Sequence, residues 1–225
     1  IAEFEKDMGL IEMPYEPVCV FDFDGVICDS AFEAFRIGAC ASKLIPSPSS
    51  STLDSLYPVF LNFRSLVGPA WNYFYVFKQI AISNHKLSTE TWTFNTDAKL
   101  FEMNFFNVRA AFKRDEFENW LQLHKPYKEV LRILKSTKLN PVILTNKDID
   151  AVRTLLDIYG LDYLDLISMK DFDKSTRKID VINKYFPLAK FFIDDHAATV
   201  KAAIDCSTSS DLVIKFANWG YGVNE

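Results

Sequence analysis

Residues Val18 to Val26 read VCVFDFDGV, a run of apolar, strand-forming residues that ends in acidic residues and a glycine. Valine and phenylalanine favour buried strands and Asp-Gly is a turn signal, so the segment predicts a buried strand that runs into a loop. Asp22 and Asp24 lie two residues apart at its end. Because side chains alternate along a strand, both carboxylates are expected on the same side of the sheet, with Phe23 on the other.

Two carboxylates this close do not both ionise readily without a cation between them or a proton on one of them. Either outcome provides useful chemistry, namely a metal ligand beside a general acid. A solvated Asp-Gly turn explains the same four residues equally well, because short motifs also occur by chance. Whether Asp22 and Asp24 form a functional site or only a turn therefore depends on which residues end the other predicted strands.

From Pro126 onward, helical and strand-like patterns alternate regularly. Strands are expected at 141–145, 163–168, 190–194 and 211–216, and helices at 127–134, 149–159, 179–186 and 200–204. Gly160 and Pro187 are placed to end the second and third of these helices. This alternation predicts an α/β fold in which a Rossmann-like parallel sheet is covered by helices on both faces.

Residues 30–124 are rich in aromatic residues and poor in glycine, and we expect them to be mainly α-helical. We predict that they form an inserted domain, which we call the cap, and that residues 1–29 and 125–225 form the α/β core. Since the cap follows the first strand, it is expected at the carboxyl edge of the sheet, where open α/β sheets bind ligands. The Pro/Ser-rich run 46–51 predicts a loop inside the cap.

The cap contains aromatic and basic residues, for which we expect different roles. The aromatic residues of 71–77 are expected to form mainly the cap core rather than a wall of the ligand site. The basic residues are expected to be solvated, although each could reach a second anionic group of a ligand. They are Arg36, Arg64, Lys78 and Arg109.

Polar residues also follow two other predicted strands. Thr145 and Asn146 combine a hydroxyl and an amide with free backbone N–H groups at a helix start, which suits an anionic oxygen. Asp194 and Asp195 follow the fourth strand. Each pair alone is explained at least as well by helix capping or by solvation.

Two lysines, Lys174 and Lys178, precede or open a helix. A cation is unfavourable at a helix N-terminus unless an anion pairs with it. A solvated surface lysine is the favoured explanation for either one alone. Only the ordered set of acidic pair, threonine, lysine and second acidic pair points to a common site.

In this order the motifs resemble those of the haloacid dehalogenase superfamily. FDFDGV at 21–26 is similar to its first motif, Leu144-Thr145-Asn146 to its second, Lys178 to its third, and FIDD at 192–195 with His196 to its fourth. The resemblance covers residues 16–27 and 126–225 and leaves the insertion, which occupies the place of the family's helical cap, unmatched. His196 stands where serine is common.

The resemblance implies a magnesium-dependent phosphomonoester hydrolase that acts on a small phosphorylated metabolite. Asp22 would attack phosphorus and form an aspartyl phosphate, while Asp24 would protonate the leaving oxygen and later activate water. Thr145 and Lys178 would hold the phosphoryl oxygens. Asn146 would add a substrate hydrogen bond or cap a helix.

The resemblance also implies a Mg²⁺ ion held by hard oxygen donors. These would be the Asp22 carboxylate, the Asp24 backbone carbonyl and Asp195, with Asp194 as a ligand or an outer partner. Lys174 competes with Lys178 for the place of the third motif, because the segment before the fourth motif is short.

Two other functions fit the same motifs. A phosphosugar mutase would return the phosphoryl group to a second hydroxyl inside a closed cap. A non-catalytic binding protein would retain the fold alone, but clustered carboxylates are costly to bury, and this argues against it.

Composition excludes several other classes. The chain has 225 residues, a net charge of −5 and 49% hydrophobic residues, and it lacks an apolar run of membrane-spanning length. The acidic balance argues against a general nucleic-acid binder. The four cysteines form no Cys-x-x-Cys pair, and the acidic residues at 3–7 do not resemble a secretory leader, so we expect a cytoplasmic protein with reduced thiols and no membrane association.

Overall fold

The computed structural model describes residues 16–43, 50–82 and 92–221. The strands are β1 (Val18–Phe21), β2 (Cys28–Asp29), β3 (Lys125–Pro126), β4 (Asn140–Thr145), β5 (Asp165–Ser168), β6 (Phe191–Asp194) and β7 (Val213–Phe216). Five of them form a sheet in the order β5-β4-β1-β6-β7, and each neighbouring pair in it is parallel. The predicted α/β fold with a parallel sheet is therefore confirmed.

Helices fill the connections. The cap region contains α1 (Ala31–Ser42), α2 (Ser50–Arg64), α3 (Asn72–Ala81), α4 (Thr96–Asp115) and α5 (Phe117–Gln122). The core contains α6 (Lys128–Ser136), α7 (Ile149–Ile158), α8 (Lys178–Tyr185) and α9 (Ala197–Cys206). Strands β2 and β3 pair antiparallel where the chain enters and leaves the cap region. The domain boundaries at 29/30 and 124/125 stay a prediction.

Strand β1 is buried along its whole length because helices cover both faces of the sheet. Cys19 and Phe21 pack into one hydrophobic cluster with α7, and Val18 and Val20 pack into a second cluster with α8. This central position explains why the strand reads as a continuous apolar run. The central position of β1 also places the residues that follow it at the middle of the sheet's carboxyl edge.

The cap region has a hydrophobic cluster of its own. It is built largely from rings, and Phe35 lies 5.2 Å from Phe60 and 6.0 Å from Phe77 between ring centroids. Tyr73 and Phe77 are buried, whereas Trp71, Phe74 and Tyr75 are partly exposed. The expectation of an aromatic cap core is thus met by these buried rings.

Several sequence predictions need correction. Strand β1 ends at Phe21, so Asp22 and Asp24 lie in the loop after it rather than in the strand. Ser50 and Ser51 are helical instead of part of a loop, and residues 46–49 of that predicted loop lie outside the described residues. Ile149 is exposed because α7 begins there, one turn before its buried face. Within the described ranges, no helix has both the length and the apolarity of a membrane span.

Candidate active site

The carboxyl ends of β1, β4 and β6 meet at one small pocket. Every site residue that the sequence predicts lines it, namely Asp22, Asp24, Thr145, Asn146, Lys178, Asp194 and Asp195. The cap region supplies a further wall through Arg64, Val67 and Gly68. Parallel pairing brings these distant segments together, since Phe21 lies in register with both Ile143 and Ile193.

Lys178 is the cation of this pocket that pairs directly with Asp22. Its Nζ lies 2.9 Å from Asp22 Oδ1 and 2.8 Å from Asp194 Oδ2, and the residue is only 5% exposed. Burial lowers the pKa of Lys178, but the two carboxylates outweigh burial and raise it, so the ammonium is charged. Lys174 instead lies at the surface, where it pairs with Glu102 at 3.3 Å. The structure thus places Lys178, and not Lys174, beside Asp22.

Three carboxylates gather around that lysine. Oxygen atoms of Asp22, Asp194 and Asp195 lie within 4.8 Å of one another. Burial, together with the neighbouring carboxylates, raises the pKa of Asp22 to about 7 and that of Asp195 to about 6. Lys178 opposes the shift of Asp22, and Arg64 is the main cation that opposes the shift of Asp195. The cluster therefore carries more negative charge than one lysine balances, and its oxygens suit a hard divalent cation.

Gly25 makes this cluster possible. Its φ is +78°, a conformation that favours glycine, and a Cβ atom there would lie 2.0 Å from Asp195 Oδ2. Asp195 is held in that position because its Oδ2 accepts a hydrogen bond from the backbone N–H of Tyr221 at 2.9 Å. Asp194 Oδ1 accepts one from the N–H of His196 at 2.8 Å. The loop thus fits closely against the fourth-motif acids.

Asp24 faces a different environment. Its Oδ1 accepts a hydrogen bond from the Ser30 hydroxyl and lies 3.0 Å from Lys147 Nζ. Burial raises the pKa of Asp24, but Lys147 and Arg64 outweigh burial and lower it below its ordinary value. Asp22 and Asp24 are the same residue type, but the protein raises the pKa of Asp22 and lowers the pKa of Asp24.

Lys147 belongs to a buried ion network that the sequence analysis missed. Its Nζ also lies 3.5 Å from Glu33 of α1, and Glu33 binds Arg109 of α4 through two bonds of 2.6 and 2.8 Å. Two sequence signals were present. Lys147 directly follows Thr145-Asn146, and Arg109 continues the i, i+4 spacing of Phe101 and Phe105 on the buried face of α4.

The expectation that the cap's basic residues are solvated is wrong for two of them. Arg109 is buried because Glu33 pairs with it, and Arg64 is 9% exposed because it lies over the pocket and against Tyr221. Arg36 is partly exposed and stacks on the Phe112 ring at 5.0 Å, whereas Lys78 is exposed.

Thr145 and Asn146 border the pocket from β4. The Thr145 hydroxyl accepts a hydrogen bond from the Lys147 backbone N–H at 3.0 Å, and the residue is buried. Asn146 also borders an adjoining cavity of about 460 Å³. Trp71 and Phe94 from the cap region and Lys170 from the core line that cavity too. Its volume is in the range of small-molecule sites, roughly 300–1,000 Å³.

No family model and no curated protein sequence matches this chain. Among solved structures it is similar to a predicted phosphatase from Clostridium acetobutylicum, with a TM-score of 0.59 and 22% identity. It is also similar to a predicted phosphoglycolate phosphatase from Haemophilus somnus, with a TM-score of 0.60 and 19% identity. A haloacid dehalogenase-like hydrolase from Streptococcus pneumoniae has a TM-score of 0.55 and 15% identity.

Each of these three matches covers 93% of this chain and 88% of the other. The matches therefore include the inserted helices as well as the sheet. The four sequence motifs and the comparison of the whole backbone indicate the same fold. The chain has the haloacid dehalogenase-like fold.

Proposed function

We propose that this protein is a phosphomonoester hydrolase that works through an aspartyl phosphate on Asp22. The observation that carries the proposal is the pairing of Asp22 with Lys178, at 2.9 Å, inside the pocket that Thr145 and Asp195 also line. A carboxylate that lies beside a fixed cation and a hydroxyl can attack a phosphoryl group while the cation and the hydroxyl bind the phosphoryl oxygens. The similar structures named as phosphatases support the same reaction class.

Asp22 attacks phosphorus, and the bond to the leaving oxygen breaks. Lys178 and Thr145 bind the phosphoryl oxygens and offset their charge. Asp24 gives its proton to the leaving oxygen in the first step and takes a proton from the attacking water in the second. The nearby cations lower its pKa in the substrate-free protein, which keeps Asp24 ionised there and makes it a weaker base. An arriving phosphate dianion neutralises those cations and so favours the protonated form that the first step needs.

The donor set fits a magnesium ion. Asp22, Asp194 and Asp195 offer carboxylate oxygens within 4.8 Å, and burial first and the neighbouring carboxylates second raise the pKa of Asp22 and of Asp195. Asp22, Asp195 and the Asp24 carbonyl would hold the ion, with Asp194 as a ligand or an outer partner. When bound, magnesium would offset charge on the phosphoryl oxygens.

A panel of phosphorylated metabolites, assayed with magnesium for released phosphate, tests the proposed activity. We expect release to water from at least one small phosphomonoester, because the adjoining cavity has room for a leaving group of metabolite size. Transfer to a second hydroxyl of the substrate would instead indicate a mutase. Zero turnover across the panel would contradict the proposal.

Replacing Lys178 by Met should lower kcat by about 10²- to 10³-fold, because it removes the buried charge that stabilises the phosphoryl oxygens. The control is Lys201→Met, which removes an exposed lysine of α9 that pairs with Asp205 and should change kcat less than twofold. Steady-state kinetics with p-nitrophenyl phosphate measures both. Equal losses in the two variants would show that Lys178 has no special role.

Magnesium should raise the melting temperature of the protein even without substrate. At a hundredfold excess over Kd, binding contributes about 2.7 kcal/mol, which corresponds to several degrees in a chain of this size. Asp195→Asn should lose this shift, whereas Asp205→Asn, which changes an exposed acid of α9, should keep it. Calorimetric scans with magnesium and with chelator measure the effect. A shift that zinc alone produces would contradict the assignment.

A further inference from the structure

The C-terminal segment, residues 217–221, follows β7 and packs against the loop after β1 and against Asp195. The Trp219 indole N–H donates a hydrogen bond to the Val26 carbonyl at 3.1 Å. Gly220 fits so closely that a Cβ atom would lie 2.4 Å from the Gly25 carbonyl oxygen and 2.6 Å from Asp195 Cβ. Only a residue without a side chain can occupy that position, so the C-terminal segment is built against the loop that carries Asp22 and Asp24.

Tyr221 connects the core to the cap region at this point. Its backbone N–H binds Asp195 Oδ2 at 2.9 Å. Its hydroxyl accepts a hydrogen bond from the Ser30 N–H at 2.5 Å and donates to Asp29 Oδ1 at 3.2 Å, which orients the ring. The Arg64 guanidinium carbon lies 4.2 Å from the centroid of that ring. One residue therefore contacts an acid of the core and an arginine of the cap region.

Arg64 is held over the pocket without a direct ion pair to any described residue, although Asp24 and Asp195 interact with its charge at longer range. It ends α2 and lines the same pocket as Asp22 and Asp24. Its Nε is buried and has no hydrogen-bond partner, and its Nη1 donates to the Val67 carbonyl at 3.3 Å. A buried guanidinium without a paired anion is costly. This arrangement suits an anion that arrives with the ligand, and Arg fits phosphate geometry well.

We propose that Tyr221 is a positioning residue, which holds Arg64 toward the phosphoryl group of a bound ligand and fixes Asp195 from the opposite side. The inference rests on the proposed function for the identity of the ligand. Stacking of a desolvated arginine on a tyrosine ring is worth about a factor of ten in the equilibrium that keeps Arg64 over the pocket. The C-terminal segment thus supports two residues that line the pocket, Arg64 and Asp195.

The affinity for inorganic phosphate, measured by calorimetry in magnesium-containing buffer, tests the inference without turnover. Tyr221→Leu should weaken phosphate binding about tenfold and raise KM for p-nitrophenyl phosphate by a similar factor, with a smaller change in kcat. Tyr221→Phe keeps the ring but loses the hydrogen bonds that orient it, so it should lose less affinity than Tyr221→Leu. Arg64→Gln should weaken binding by about 10- to 100-fold, because it removes a charged hydrogen-bond donor.

A double-mutant cycle shows whether Tyr221 acts through Arg64. In the Arg64→Gln background, Tyr221→Leu should change phosphate affinity less than twofold, since the contact has already been lost. Tyr163→Leu, at an exposed tyrosine of the core, is the matched control and should bind phosphate as the wild type does. If Tyr221→Leu does not fold, the comparison of Arg64→Gln with wild type still tests the anion site.

The outcomes separate the two proposals. Unchanged phosphate affinity in Tyr221→Leu, additive losses in the cycle, or a wild-type protein that binds no phosphate would overturn the positioning role of Tyr221. Unchanged affinity in Arg64→Gln would overturn it as well. Coupled losses of phosphate binding in a protein that hydrolyses no phosphomonoester would support the positioning role and contradict the proposed function alone.

Discussion

Asp22→Asn is expected to yield a folded protein that neither hydrolyses p-nitrophenyl phosphate nor takes up phosphate covalently. The amide cannot act as the nucleophile, so the covalent step is lost and kcat should fall on the order of 10⁴-fold or more. Folding should be preserved, because Lys178 keeps its ion pair with Asp194 at 2.8 Å when the Asp22 carboxylate is removed. Mass spectrometry after brief mixing measures the adduct.

Asp24→Asn should behave differently from Asp22→Asn. An aryl phosphate has a good leaving group that needs little protonation, so Asp22 can still attack it. Hydrolysis of the aspartyl phosphate needs a base to activate water, and this step should slow by about 10²- to 10⁴-fold. The phosphoenzyme should therefore accumulate, with the added phosphate mapped to Asp22.

The control for both variants is Asp211→Asn, which removes an exposed acid that pairs with Lys190. It should leave turnover within twofold of the wild type. A phosphate adduct that persists in Asp22→Asn would identify another nucleophile. Equal kinetics for Asp22→Asn and Asp24→Asn, with no adduct in either, would contradict the separation of their roles.

The sequence predicts the α/β core well because its signals are local. The apolar run at 18–21 must be central, since a strand covered on both faces has no polar side. Gly160, with φ of +66°, ends α7 where the pattern places it. The strand boundaries were less well predicted, because β1, β6 and β7 are each shorter at one end than their apolar patterns suggest.

The site is predictable only in part, because some of its contacts are not set by the local sequence. Acids and a threonine at strand ends meet because parallel strands share one carboxyl edge, and this rule needs no side-chain detail. The pairing of Lys147, Glu33 and Arg109 depends instead on how the inserted helices pack against the core, and the i, i+4 spacing that places Arg109 on the buried face of α4 does not identify its partners. Arg109 was therefore expected to be solvated, although it forms a buried network with Glu33 and Lys147.

Among the variants considered, the removal of Glu33 from that network is expected to have the largest effect on stability. Glu33→Gln should lower the free energy of unfolding by about 3–5 kcal/mol, because it leaves the buried cations Arg109 and Lys147 without their shared carboxylate. The matched control is Glu129→Gln, whose pair with Arg132 is exposed and should contribute about 0–1 kcal/mol. Urea unfolding at neutral pH measures both variants.

The double variant Glu33→Gln with Arg109→Met tests whether the loss comes from unpaired charge. Removing the guanidinium as well as its partner eliminates one buried cation, so the double variant should be less destabilised than the sum of the two single changes. Strict additivity would show that Glu33 and Arg109 act independently. A loss in Glu33→Gln no greater than that in Glu129→Gln would show that the network does not stabilise the fold.

The pH dependence provides the decisive check on the charge of Glu33. Burial opposes ionisation of Glu33, but Arg109 and Lys147 outweigh burial and hold its pKa well below the ordinary value. An acid with a depressed pKa in the folded state stabilises the protein fully above its unfolded pKa of about 4.3, and this contribution is lost as the pH falls below that value. The difference between wild type and Glu33→Gln should therefore be constant from about pH 6 to 8 and shrink below about pH 4. A difference that does not change down to acid unfolding would mean that the glutamine variant loses packing, and not charge pairing.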